Sequence, residues 1–349
     1  MSARTPTGRQ PILDVVKAIA IWLVVLGHNE TIRLEHEQWY RAIYLMHMPA
    51  FLIATGMVTP LMHDKGHLFD RMRALMQPFL VVWLLFLPLA WHRQQGDLLE
   101  IVGGLFWMNS YGLVNQPTWY LGVVACCLAW LWAWDRWPAN AKLKAMLAVA
   151  MVVLACVVIP EGRRDEPWVP SVSASRVGWP LGLDLTLLIL PLFLLGRHLR
   201  GASDRLGRDA PAAWCAFGVG VALFCVAFGQ GAMLDLNARM LMAPAWCVLG
   251  ALSGCLALWG LAGGACPLLR GRWLDGLVAV GRSTLFILLF HAPLQNAFAK
   301  LLAPLDLGGA GALLLSITVV IGLWWVDSRC VARVPILRTW LRPAPLYRR

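Results

Sequence analysis

Hydrophobic runs of about 20 residues recur along the chain, separated by short polar or basic segments. A helix rising ~1.5 Å per residue crosses the apolar core of a bilayer in roughly that length. The runs are continuous rather than alternating, and lipid admits only helices or closed barrels, because backbone polar groups must be satisfied internally. The pattern therefore predicts an all-α, polytopic membrane helical bundle. Ten spans are expected, at residues 11–28, 40–62, 76–92, 117–134, 145–160, 180–196, 212–229, 240–262, 283–303 and 310–327. Ile101 to Met108 is apolar but too short to cross, so it reads as a re-entrant or interfacial piece leading into Asn109 to Pro117. No internal repeat or appended soluble domain is visible. Residues 1–349 read as a single membrane domain with a basic tail from about 329 to 349.

Basic residues test this count. With both termini cytoplasmic, the inner side holds Arg4 and Arg9, Lys65, Arg71 and Arg73, Arg136, Lys142 and Lys144, Arg197 to Arg208, Arg270, Arg272 and Arg282, and the arginines from Arg329 to Arg349. The outer side keeps only Arg33, Arg41, Arg93, Arg163, Arg164, Arg176, Arg239 and Lys300. That asymmetry is what the positive-inside rule requires, and it predicts a multi-pass protein of the cytoplasmic (inner) membrane. The apolar stretch at 18–27 ends in Gly27-His28-Asn29 without a small-x-small cleavage site, so it is read as the first span rather than a signal peptide.

Composition agrees. Hydrophobic residues make up 59% of the chain and charged ones 14%, where a soluble domain carries roughly 25% charged residues. A net charge of +11 could suggest nucleic acid, but the cations sit in short patches between apolar runs, where they orient helices and touch anionic lipid. No nucleic-acid partner is expected. The nine cysteines fall mostly within apolar segments with no CxxC spacing, and read as small packing residues.

Ionisable groups inside a span cost about 3 kcal/mol each on insertion scales, so those present are candidates for function. The first span holds Asp14, Lys17 and His28. Lys17 and His28 lie about 20° apart around a helix and ~16 Å apart along it, so they share a face. Asp14 precedes Lys17 at i,i+3, where a carboxylate–ammonium pair can form; the plainer reading is a border ion pair with a snorkelling lysine. Two more histidines lie in spans, His47 and His291, each followed two residues later by a proline, Pro49 and Pro293. A helical proline frees a backbone carbonyl and bends the helix, which is where a polar cavity can open. Each histidine alone could be a packing residue, but three with a lysine argue for a shared polar interior. Such an interior suits acyl transfer, with a neutral imidazole taking a hydroxyl proton and donors or cations steadying the oxyanion. No nucleophile elbow is present, and the histidines have neither an i,i+4 pair nor an intramembrane carboxylate neighbour, so no metal is expected. The rival readings are a secondary transporter or flippase of a small polar or glycolipid substrate, a haem-binding electron carrier and a membrane scaffold.

Several segments carry a resemblance. Ile12 to His28, with Lys17 and His28 bracketing ten residues, resembles the first helix of the acyltransferase family 3 membrane proteins, whose motif is a basic residue, ten residues and a histidine. Met46-His47-Met48-Pro49-Ala50-Phe51 through Thr55-Gly56 is similar to the second helix of the fucose 4-O-acetylase-like branch. Pro117 to Leu121 resembles the family's WFL segment, and Gly281 to His291 its late helix. Lys17 stands where arginine is commoner and Thr55 where serine is usual, and Arg71-Met72-Arg73 is tighter than the RxxR of some members. The resemblance implies a ten-helix bundle that takes acetyl from cytoplasmic acetyl-CoA and places it on a carbohydrate or lipid-linked sugar of the envelope. His28 is then expected as general base. Lys17, Arg71 and Arg73 would hold CoA phosphates, and His47 and His291 would position substrate or stabilise the oxyanion. Asp14, Asn29, Trp119 and Tyr120 are expected to contact substrate, the two aromatics by stacking on a sugar or adenine face.

Overall fold

The computed structural model describes residues 11–62, 64–93, 95–108, 113–161, 178–269, 271–305 and 307–343. Arg4, Arg9, Arg163, Arg164, Arg176, Arg270, Arg348, Arg349 and the start of the segment at Asn109 lie outside the described residues. The helices are α1 (Pro11–Gly27), α2 (Glu30–Glu35), α3 (Glu37–Val58), α4 (Lys65–Leu85), α5 (Leu87–Arg93), α6 (Leu98–Trp107), α7 (Trp119–Arg136), α8 (Ala141–Glu161), α9 (Leu183–Leu206), α10 (Ala210–Gly229), α11 (Pro244–Ala265), α12 (Arg272–Arg282), α13 (Thr284–Leu302), α14 (Gly308–Val326) and α15 (Pro335–Leu341). One antiparallel hairpin, β1 (Met233–Asp235) with β2 (Met240–Met242), interrupts them, pairing Met233 with Met242.

Among the described residues eight helices are long and apolar enough to cross a membrane, or nine if α4 and α5, bent 55° at their junction, form one span. The first expected span is a 17-residue helix, α1, shorter than these eight. It is the centre of the bundle, packing on α3, α11, α12, α13 and α14. Close approaches between helices are made through glycine. A Cβ at Gly281 of α12 would run into the Asp14 carbonyl, and α3 meets α9 where Gly56 faces the Phe193 carbonyl and Gly196 faces that of Ile53. Without a strong hydrophobic drive between helices in lipid, such close backbone contact is how they associate. By contrast, α8 and α10 leave most of their apolar side chains outward, as lipid-facing helices do.

The structure departs from the expected boundaries in several places, among them α4, which begins at Lys65 rather than residue 76. The span expected from residue 240 begins as strand β2, with its helix starting at Pro244. Helix α9 runs past residue 196 to Leu206, and the basic stretch expected as an inner loop contains α12. Arg239, expected as an outer-loop charge, is fully buried: its Nε lies 3.0 Å from Asp184 Oδ2, and Nη1 donates to the Asn237 carbonyl at 3.0 Å. Asp184 opens α9, so this pair fastens the hairpin turn to the bundle. Towards the opposite ends of these helices, Arg197 of α9 grips Asp135 of α7 at 2.7 and 3.0 Å and donates to the Thr59 and Pro60 carbonyls just beyond α3.

Candidate active site

α1 stops at Gly27, and the next residue, His28, leans back on the last turn with Nδ1 2.8 Å from the Val24 carbonyl. A carbonyl oxygen can only accept, so Nδ1 carries the proton and, in the neutral ring, Nε2 keeps the lone pair. His47 and His291 make the same arrangement. His47 Nδ1 lies 2.7 Å from the Ile43 carbonyl, and His291 Nδ1 is 3.0 Å from both Ile287 and Leu288. Each imidazole therefore presents Nε2 as an acceptor.

The three helices bring these rings near one another. His28 and His291 stand edge to face at 5.1 Å between centroids, with Tyr44 6.1 Å from His28 and 4.9 Å from His47. Pro293 deprives the Leu289 carbonyl of its helical N–H, and Asn115 Nδ2 supplies a donor there instead at 2.6 Å. This contact pins the turn before α7 to α13 beside the cluster. Tyr44 is held in turn by Tyr40, whose ring lies 4.1 Å away and whose hydroxyl donates to Asp235 Oδ2 at 2.6 Å. The hairpin thus reaches the histidine cluster through two tyrosines.

Over the cluster opens a cleft of ≈ 590 Å³. Gly27, His28, Asn29 and Tyr44 line it, with Gln116, with Asn296, Ala299 and Lys300 of α13, and with Arg33 and Arg93. His28 is half-buried there, so it is shielded from bulk water yet reachable. Asn29 is buried and caps α2, its Oδ1 accepting from the Thr31 N–H at 3.0 Å.

The other expected site residues lie elsewhere. Lys17 is 4.0 Å from Asp14, and Asp14 also pairs with Arg282 at 3.3 Å, forming a buried-carboxylate cluster at the far end of α1 from the cleft. Arg71 is half-buried, with Nη2 3.4 Å from the Val58 carbonyl, and Arg73 is exposed on the same helix. Trp119 and Tyr120 are buried in the apolar core, where the Tyr120 hydroxyl sits 3.5 Å from Thr55 Oγ1; neither lines the cleft. Their apolar bodies pack between helices. Sequence reasoning did not single out Tyr40, Tyr44, Asn115, Asp235 or Gln295. Tyr40, Tyr44 and His47 fall at i, i+4 and i+7, one helical face, which was the available signal for the tyrosines. Among the described residues no three His, Cys, Asp or Glu side chains are arranged to hold a metal ion.

A sequence profile of the acyltransferase 3 family, described as an acyltransferase domain, matches residues 10–326. The chain belongs to the acyltransferase 3 family. No curated protein and no solved structure matches it. The matched range contains all three clustered histidines, the Asp14–Lys17–Arg282 group and the hairpin, and ends with α14. As an acyltransferase 3 protein with multiple apolar helices, the chain is a multi-pass membrane acyltransferase. For that chemistry the informative feature is an Nε2 acceptor at the edge of a cleft, because an attacking hydroxyl needs a group to take its proton.

Proposed function

We propose that this protein is a membrane-bound O-acyltransferase moving an acyl group, acetyl foremost, from cytoplasmic acyl-CoA to a hydroxyl of an envelope carbohydrate in exopolysaccharide, lipopolysaccharide or glycolipid. The observation that carries the reading is His28, half-buried beneath the cleft with its Nδ1 proton tied to Val24 and Nε2 left to accept. In the reaction, Nε2 takes the acceptor's hydroxyl proton as the oxygen bonds to the thioester carbon. The carbonyl electrons move onto oxygen, then return as the carbon–sulfur bond breaks, and CoA leaves as thiol with the proton from His28. The carbohydrate enters by the cleft, where Asn29, Gln116 and Asn296 offer amides to its hydroxyls.

Acyl-CoA approaches from the other end of α1. Lys17 and Arg282, held together by Asp14, and Arg71 with Arg73 on α4 supply the cations that CoA phosphates require. In the inner membrane, α1 and the bent α4–α5 pair add the ninth and tenth crossings, and both termini are cytoplasmic. The His47-Met48-Pro49 segment favours the fucose 4-O-acetylase-like branch, and with it a sugar acceptor. The test is transfer of radiolabelled acetyl-CoA in isolated membranes. His28→Ala is expected to lower turnover by at least ~100-fold, a general base's usual share; near-normal turnover rejects the assignment.

A further inference from the structure

The cluster is rich in acceptors, and acyl transfer also needs a donor. When the hydroxyl oxygen bonds to the thioester carbon, negative charge develops on the carbonyl oxygen, and a fixed N–H or O–H must meet it. The three imidazole N–H groups are directed at backbone carbonyls. Asn115 Nδ2 is committed to the Leu289 carbonyl. The Tyr40 hydroxyl donates to Asp235 Oδ2.

Gln295 is different. It is 1% exposed, and neither its Oε1 nor its Nε2 has a hydrogen-bond partner, so the conclusion holds whichever way the amide is turned. Burying an amide with both ends unpaired costs stability, and native proteins rarely do so without a reason. Its position supplies one. His291, Gln295 and Ala299 follow one another a helical turn apart on α13, so they form one row. His291 touches the base, its ring 5.1 Å from that of His28, and Ala299 lines the cleft. Gln295, which does not itself line the cleft, is thus one helical turn from the residue that touches the base and one turn from a residue of the cleft wall. His291 Nε2 and Asn115 Oδ1 are also buried and unpaired, but both are acceptors and cannot meet an oxyanion.

We infer that Gln295 Nε2 is the hydrogen-bond donor to the thioester carbonyl oxygen as it becomes an oxyanion. This rests on the acyl-transfer reading of the His28 site. It gives Gln295 the role the sequence offered to His47 or His291, whose Nδ1 atoms lie against backbone carbonyls.

Steady-state acetyl-CoA kinetics in membranes, with purified protein for melting temperature, test the inference on full-length Gln295→Leu, Gln295→Asn and His28→Ala. Gln295→Leu is close in volume and removes the donor. It is expected to lower kcat by about 100-fold, as loss of one oxyanion donor does elsewhere, with KM for acetyl-CoA within about twofold. Its melting temperature is expected to be unchanged or raised, because an unpaired amide leaves an apolar site. Gln295→Asn keeps the amide on a shorter arm and is expected to recover activity above Gln295→Leu. Wild-type kcat in Gln295→Leu, or activity lost together with a lowered melting temperature and no recovery in Gln295→Asn, overturns the inference. If His28→Ala is inactive while Gln295→Leu is fully active, the role of Gln295 alone fails; if His28→Ala is also fully active, the reading of the whole site fails.

Discussion

At His28 one backbone contact decides the tautomer, because the Val24 carbonyl 2.8 Å away holds the Nδ1 proton and leaves Nε2 to accept another. Tyr44, whose ring lies 6.1 Å from His28 and 4.9 Å from His47 and which lines the cleft, is placed to tune that acceptor's surroundings. Tyr44→Phe keeps the ring and removes the hydroxyl, so a roughly 10-fold or smaller loss of kcat is expected, about the scale of one neutral hydrogen bond. A loss as large as that of His28→Ala would instead make Tyr44 part of the proton-transfer step; turnover in isolated membranes separates the two. The three histidines were legible in the sequence, since imidazoles in apolar runs are costly and stand out. Gln295 was not, because an amide carries no charge and its isolation among unpaired atoms is a property of packing. The placement of Trp119 and Tyr120 was also beyond the sequence, which cannot say whether an aromatic faces a cavity or a neighbouring helix.

The elements are held by a few close approaches and buried pairs. Helices α3 and α9 touch backbone to backbone at Gly56 and Gly196. Gly56→Leu must push them apart, so loss of folded protein is expected in detergent-solubilised size-exclusion profiles, whereas a wild-type profile would deny this contact its role. The hairpin depends on Arg239 and Asp184, a fully buried pair. Removing one partner strands the other charge, so Arg239→Met is expected to destabilise by about 3–5 kcal/mol. Arg239→Met with Asp184→Leu is expected to recover much of that loss in thermal unfolding; an equally unstable double variant would mean the pair is not the reason. The apolar runs located most of the long helices to within a few residues, but α4 starts well before the expected residue 76 and α9 runs on to Leu206. They missed the hairpin, since six residues at the edge of an apolar run carry no distinct period, and Arg239 read as a loop charge because a sequence does not show that Asp184 waits beside it. Helix α12 was hidden in a basic stretch whose apolar positions mattered only once α1 lay against them.

Across the whole molecule the charges form two separate stations along α1. The Asp14–Lys17–Arg282 group lies at one end and the cleft with His28 at the other, roughly 16 Å along the helix from Lys17 by its rise per residue. Under the proposed function, CoA phosphates meet the first station and the carbohydrate the second. Lys17→Met is therefore expected to raise KM for acetyl-CoA about 10-fold, the effect of losing one charge-assisted contact, with a smaller change in kcat. An unchanged KM would remove Lys17 from the donor's path and leave it as a partner of Asp14 alone. The helical bundle could be read from the sequence, because lipid imposes it. The separation of Lys17 from the cleft could not, since sharing a helical face does not place two residues in one cavity.

The most direct measurement is mass spectrometry of envelope glycans from cells carrying the wild-type protein or His28→Ala, with protein levels matched by immunoblot. An acetyl ester is expected on one sugar in the wild-type cells and is expected to be absent with His28→Ala. The same acetylated sugar at the same abundance in both would contradict the role of His28.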